Sequence, residues 1–242
     1  MAGLDFQSSR VSEATRGKLH VKILSMNKNI IYGFLGIIIV GVAGFLYATR
    51  PASLPSQDVQ SVSDTLNNDN VSGTSLYRIL QEGSKVEFKI GEILNGNPFT
   101  AVGTTNQVAG DITVSGNPAK IEIGTLKINA KTFKTDSASR DGAIARFILK
   151  SEDPANEFIE FKPTSVNGTI PDFTVSGDLT ISGVTKPATF SLSAKIEGGK
   201  MTGTAEAKIK RSDYNLVIPN IPFVASVDDE FTVTADIVAN LQ

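Results

Sequence analysis

The sequence contains no cysteine and a single histidine, His20, among 242 residues. Without thiols there is neither a disulfide framework nor a lipoprotein-type cysteine anchor, so the fold must hold by packing and backbone pairing. Everything after His20 lacks both imidazole and thiol. That removes the usual zinc ligands and the Ser-His-Asp and Cys-His arrangements of nucleophilic catalysis. A surplus of positive charge is also missing: 23 Lys and Arg stand against 25 Asp and Glu, a net charge of −2. Nucleic-acid binding by counterion release needs a concentrated cationic face, and none is present. The acidic run Asp228-Asp229-Glu230 lacks the alternating oxygen ligands of a calcium loop and reads as a solvated turn. No spacing marks a carboxylate pair for acid/base work, and a non-enzymatic protein is expected.

Long hydrophobic runs are scarce too, with one conspicuous member. From Ile30 to Ala48 the sequence IIYGFLGIIIVGVAGFLYA carries no charge and is bounded by Lys28 and Arg50. At about 1.5 Å per residue it would reach roughly 28 Å, close to the hydrocarbon thickness of a bilayer. Arg10, Arg16, Lys18, Lys22 and Lys28 precede it, which predicts a cytoplasmic N-terminus and an extracytoplasmic C-terminal mass, with single-pass residence in the cell membrane. The apolar core is longer than that of a cleaved signal peptide and no small-x-small site follows, so an uncleaved signal anchor over 30–49 is expected. Five of the basic and two of the acidic residues lie before position 50, leaving 18 basic against 23 acidic beyond it. The chain is charge-divided at the expected span.

Residues 1–29 read as a basic cytoplasmic head and 50–75, rich in Pro, Ser, Asn and Asp, as a flexible linker. Asn70-Val71-Ser72 within it matches a glycosylation acceptor. Residues 76–242 suffice for one domain with a sizeable core. Here the apolar period is two. Val86, Phe88 and Ile90 alternate with Lys85, Glu87 and Lys89; Phe173, Val175, Gly177, Leu179 and Ile181 share one face; Phe190, Leu192, Ala194 and Ile196 another; and Phe231, Val233, Ala235, Ile237 and Ala239 a third. Ser182-Gly183 and Gly198-Gly199 sit where hairpin turns belong. Met201, Gly203, Ala205, Ala207 and Ile209 form a face of smaller residues, suited to close approach of a ligand or to tight sheet curvature.

Two stretches break the alternation. Asn95–Gln107 reads as an open edge, a mobile loop or an irregular strand. Arg140–Lys150, RDGAIARFILK, places Ile144, Phe147 and Ile148 at helical spacing, predicting a short crossover that covers one opening of the sheet structure. Eight or nine strands with short connections and no series of long helices predict an all-β antiparallel barrel or sandwich. A barrel leaves no exposed edge.

Several segments in order resemble the YceI-like family of exported lipocalin-like barrels: Thr132-Phe133-Lys134-Thr135-Asp136 followed by Ser139-Arg140-Asp141-Gly142; Phe158-Ile159-Glu160-Phe161-Lys162; the hairpin Val175 to Pro187; and Lys210-Arg211-Ser212-Asp213-Tyr214. The resemblance covers roughly Leu76 to Ala239. Many relatives carry Gly where this chain has Asn215, a residue that also tolerates left-handed backbone. They often carry a histidine near the domain start, which is missing from Val86–Thr105. The resemblance implies a lipocalin-like barrel of about eight strands that binds, sequesters or transports an isoprenoid-like lipid, with a polyisoprenoid or isoprenoid quinone as bound ligand and no cofactor required.

On that reading the candidate ligand contacts are Phe88, Arg140, Asp141, Phe147, Val175, Leu179, Phe190, Leu192, Phe231 and Val233. The apolar members alternate inward, and each would equally serve by filling a core. Arg140 and Asp141 would either pair to fix the crossover or orient a head group at the barrel mouth, and Arg211 and Asp213 carry the same two readings. A filled barrel acting as a non-catalytic interaction or stress-response protein is the alternative.

Overall fold

The computed structural model describes residues 58–62, 73–117, 119–219 and 224–242. The expected head, the membrane segment over 30–49 and the glycosylation motif lie outside the described residues. No helix among the described residues is long and apolar enough to cross a membrane.

Twelve antiparallel strands make one curled sheet. They are β1 Thr74–Ile79, β2 Lys85–Leu94, β3 Asn97–Thr105, β4 Val108–Ala109, β5 Asp111–Ser115, β6 Lys120–Ile123, β7 Leu126–Asn129, β8 Phe158–Gly168, β9 Asp172–Ile181, β10 Val184–Glu197, β11 Lys200–Lys210 and β12 Val224–Leu241. Hydrogen-bonded neighbours run β4-β7-β8-β9-β10-β11-β12-β1-β5-β6, with β2 between β12 and β3. Because β4 and β5 are separated only by Gly110, the two ends of this path return to one run of chain. The sheet thereby curls into an open, lipocalin-like barrel.

The excess over the expected eight or so strands comes from interrupted staves. β12 pairs with β2 over Val224–Asp236 and then with β1 over Ala239–Leu241, so β1 and β2 are one stave broken by the loop at 80–84. Likewise β3, β4 and β5 succeed one another in a single run, and β6 and β7 are split at Gly124-Thr125. Gly124 turns there because its N–H donates to the Asp111 carbonyl at 2.9 Å, after which β7 leaves β5 to pair with β4 and β8. Joined in this way the staves number about eight, a barrel size whose interior is either filled by side chains or holds one small ligand.

Local chemistry fixes the hairpins. Ser182-Gly183, Gly198-Gly199 and Asn95-Gly96 all have positive φ at both turn residues, the condition for the tight turn whose twist matches the flanking strands. Asn95-Gly96 decides the ambiguous stretch after it. Residues 97–105 are a regular strand, paired with β2 from Leu94↔Asn97 to Val86↔Thr105. Within that strand Gly103 lies directly beneath the Phe88 ring, leaving no room for a Cβ.

The crossover between β7 and β8 contains α1, Ala138–Ala143, and a π-helical turn over Ile144–Ile148. The Ser137 hydroxyl accepts from Arg140 N–H at 3.4 Å as the N-cap. Leu149 N–H donates to the Ile144 carbonyl at 2.8 Å, five residues back, and Ser151 N–H to the Ala145 carbonyl at 2.7 Å. The Ser182 hydroxyl in the β9–β10 turn donates to the Leu149 carbonyl at 2.6 Å. The crossover is thus stitched across the barrel opening, as its pattern predicts.

Part of the expected linker is docked on the barrel. Val59, in a 3-10 turn over Val59–Val62, is fully buried, and Gln60 and Asp58 exchange hydrogen bonds with Ile79 and Gln81 at 2.9 Å each. Two valines in a polar stretch make no sustained periodicity, so nothing in the sequence marks this contact.

Candidate functional site

The barrel interior is hollow. A cavity of about 670 Å³ lies inside it, within the roughly 300–1,000 Å³ usual for small-molecule sites. Inward alternation brings most of the sequence-predicted residues to its wall: Phe88 from β2, Val175 and Leu179 from β9, Phe190 and Leu192 from β10, and Phe231 and Val233 from β12. Val175 and Leu179 are closed in by neighbours, whereas the other five are only half-buried. Inward side chains stay half-exposed only where no core atoms cover them, so the wall borders empty volume. A filled barrel is not what these residues build.

Further aromatic groups shape the wall. Phe161 on β8 meets the Phe190 ring edge-on, centroids 4.9 Å apart, and Phe133 in the crossover meets Phe88 at 5.4 Å. Both line the cavity, as do Ile144 and Ile237. Their contributions follow from alternation and from helical spacing, but the candidate list omits them. Gly203 faces the interior among the small residues of β11, and the space beside it is taken by Ala194 of β10. Its small size therefore serves curvature between these two strands.

Polarity is concentrated at the end covered by the crossover. Glu87, Ser193 and Thr204 border the cavity from positions that alternation turns outward; the remaining polar lining residues are Glu92, Asn95, Ser137, Ser139, Arg140 and Arg211. Arg140 and Asp141 do not pair with each other. The Arg140 guanidinium donates to Glu92 Oε1 at 2.9 Å, pairs with Asp136, and lies 5.5 Å over the Phe99 ring. Asp141 turns away from the cavity: it accepts from Thr135 N–H at 2.7 Å and the Thr135 hydroxyl at 2.8 Å, with Lys134 at 3.6 Å. It holds the crossover together and does not line the wall.

Phe147 lines the mouth but is 37% exposed. The sequence pattern places it on the buried side of a helix; the wider π-helical turn rotates it to the rim instead. Glu92 is a further wall residue that the sequence reading missed. The alternation Val86, Phe88, Ile90 continues directly to it, and an acidic residue at an inward position was the available signal.

Arg211 donates through Nε to the Asp228 carbonyl at 3.0 Å and through Nη1 to the Leu216 carbonyl at 3.2 Å. Asp213 takes no part in that pairing. Asn215, with φ of 53°, adopts the left-handed conformation its position requires. Next to it the buried Tyr214 phenol is pushed up to about 12, first by desolvation and then by the Asp213 charge. No group of three or more His, Cys, Asp or Glu among the described residues is placed to hold a metal ion.

Residues 77–239 match the family described as the YceI-like domain. The chain belongs to the YceI-like family. Protein YceI of Salmonella newport is 31% identical over 152 residues, covering 58% of this chain and 75% of the relative. Protein YceI of an Escherichia coli strain is 36% identical over 122 residues, covering 46% of this chain; the match spans 61% of the length of that relative. Among solved structures, BcnA of Burkholderia cenocepacia superposes with a TM-score of 0.56 at 18% identity, covering 67% of this chain and 99% of that one. A polyisoprenoid binding domain from Saccharophagus degradans gives 0.52 at 14% identity, covering 69% and 98%. At such identities these likenesses speak for the fold. YceI-like membership fits a ligand-binding barrel.

Proposed function

We propose that this YceI-like protein binds an isoprenoid-like lipid inside its barrel, sequestering or carrying it at the outer side of a cell membrane to which the segment 30–49 tethers it. The observation that carries this reading is the hollow interior, about 670 Å³ with half-buried Phe88, Phe190, Leu192, Phe231 and Val233 on its wall. Each CH2 of a chain buried there gains about 0.8 kcal/mol, so an uncharged branched hydrocarbon is held without specific polar contacts. The polyisoprenoid binding domain of similar fold supports the choice of isoprenoid over other apolar chains. The ligand is a polyisoprenoid or an isoprenoid quinone.

Entry is at the crossover end, where Arg140 and the exposed Phe147 flank the opening and the stitched segment 133–151 is the movable part of the rim. The test is to purify the full chain from its own host, extract it and identify the lipids by mass spectrometry. A stoichiometric isoprenoid species is expected, and it should be lost on Phe190→Glu in a variant whose melting shows it folded. A chain that yields no bound lipid, or that keeps it unchanged in the folded variant, would refute an internal site.

A further inference from the structure

The cavity mouth carries charge, yet both of its cations are already committed. Along β2 the side chains of Val86, Phe88, Ile90 and Glu92 border the cavity in turn, which carries Glu92 to the inner edge of the rim. Its carboxylate, with a side chain only 6% exposed, meets Arg140 at 2.9 Å. The same guanidinium also pairs with Asp136 and packs over Phe99. One cation between two carboxylates leaves this trio with a formal charge of −1. Arg211, the other Lys or Arg among the described lining residues, is held by two backbone carbonyls, with the Asp229 carboxylate at 3.9 Å. The Asp228 side chain packs against Gly91, beside Glu92.

Resting on the lipid-carrier reading above, we infer that this mouth selects isoprenoid lipids whose head is neutral and donates a hydrogen bond, such as a prenol or quinol hydroxyl, and rejects their phosphorylated counterparts. A carboxylate offers about four lone-pair sites, and one contact to Arg140 leaves Glu92 able to accept an O–H from a head group seated at the rim. A phosphate has two ways in, and both are unfavourable. It either draws Arg140 away from Glu92, leaving an inward carboxylate without its cation, or sits beside Glu92 and Asp136 as a third anion. Like charges brought together across an interface are strongly discriminated against. Glu92 and Asp136 are therefore the specificity-determining residues, and Arg140 positions Glu92.

The test uses the full chain in phosphatidylcholine vesicles with two photoreactive probes of farnesyl length, the free alcohol and its monophosphate, and reads labelled cavity peptides by mass spectrometry. The alcohol is expected to label about tenfold more efficiently. Glu92→Gln, which keeps the shape and removes the charge, is expected to raise phosphate labelling several-fold. Asp136→Asn changes an exposed side chain that does not threaten folding, and is expected to act in the same direction. Equal or preferred labelling by the phosphate in the unmodified chain would overturn the selectivity and leave the carrier reading standing. Discrimination that neither substitution alters would overturn the assignment to Glu92 and Asp136. If neither probe labels the cavity, the carrier reading falls and the selectivity with it.

Discussion

Gly177 illustrates how a single position can be legible as a face and opaque as a contact. Alternation along β9 places it inward between Val175 and Leu179. What alternation does not reveal is that the β8 backbone, at the register shift between Pro163 and Ser165, passes over it: a Cβ there would meet the Lys162 carbonyl and the Pro163 Cα. Backbone cannot swing aside as a flexible side chain can. Gly177→Ala is expected to cost about 1–3 kcal/mol, read from urea denaturation; an unchanged midpoint would show that β8 yields. Tyr214 supplies a pH signature at the same scale. Its folded value of about 12 lies above its ordinary value of 10.0 because burial disfavours the phenolate. The stabilising contribution is therefore complete below pH 10 and is lost as pH rises toward 12. Thermal melts should show that loss, and Tyr214→Phe should flatten it. The charged residues of the site divide in the same way. Arg140 was legible because it stands at the start of an apolar helical pattern, but its partner Glu92 lies 48 positions away, and only the folded pairing of crossover with β2 joins them.

Among elements, hairpins were the most legible because their turns carry a backbone requirement that few residues meet. Asn95-Gly96 meets it as fully as Ser182-Gly183 does, yet the small residues that follow obscured the strand. Gly103 among them is explained only by Phe88 lying across it, a contact between neighbouring strands. The crossover was legible as a short helical cover, and its π-helical turn was not, since that turn depends on bonds such as Leu149 to Ile144 and on the anchor at Ser182. Asp141 binds the start of this element to Thr135 through two short hydrogen bonds to one carboxylate oxygen. Hydrogen bonds to charged groups contribute about 1.5–3 kcal/mol. Asp141→Asn is expected to raise amide hydrogen exchange over 135–149 while β9, β10 and β11 keep their protection. Uniform loss of protection would mean that the crossover is part of the global core and does not move separately.

For the whole molecule, inward alternation predicts a curled antiparallel sheet but not whether its interior is empty, since filled and hollow barrels share the same pattern. The emptiness goes with the sizes of side chains around the ring: the cavity wall carries the small residues Gly203, Ala205 and Ala235, and its aromatic rings Phe161 and Phe190, and Phe88 and Phe133, pack against each other. Stave interruptions at 80–84, Gly110 and Gly124-Thr125 depend on non-local pairing and leave no periodic trace.

An internal apolar chain can be tested without ambiguity because the protein has no tryptophan. Phe190 lines the cavity, and Thr189, one residue along β10, faces outward and is exposed. In parallel Phe190→Trp and Thr189→Trp variants, titration with a spin-labelled isoprenoid should quench the emission of the first saturably at one ligand per chain and leave the second nearly unaffected. Equal quenching of both, or none at position 190 in a folded variant, would contradict a lipid site inside the barrel.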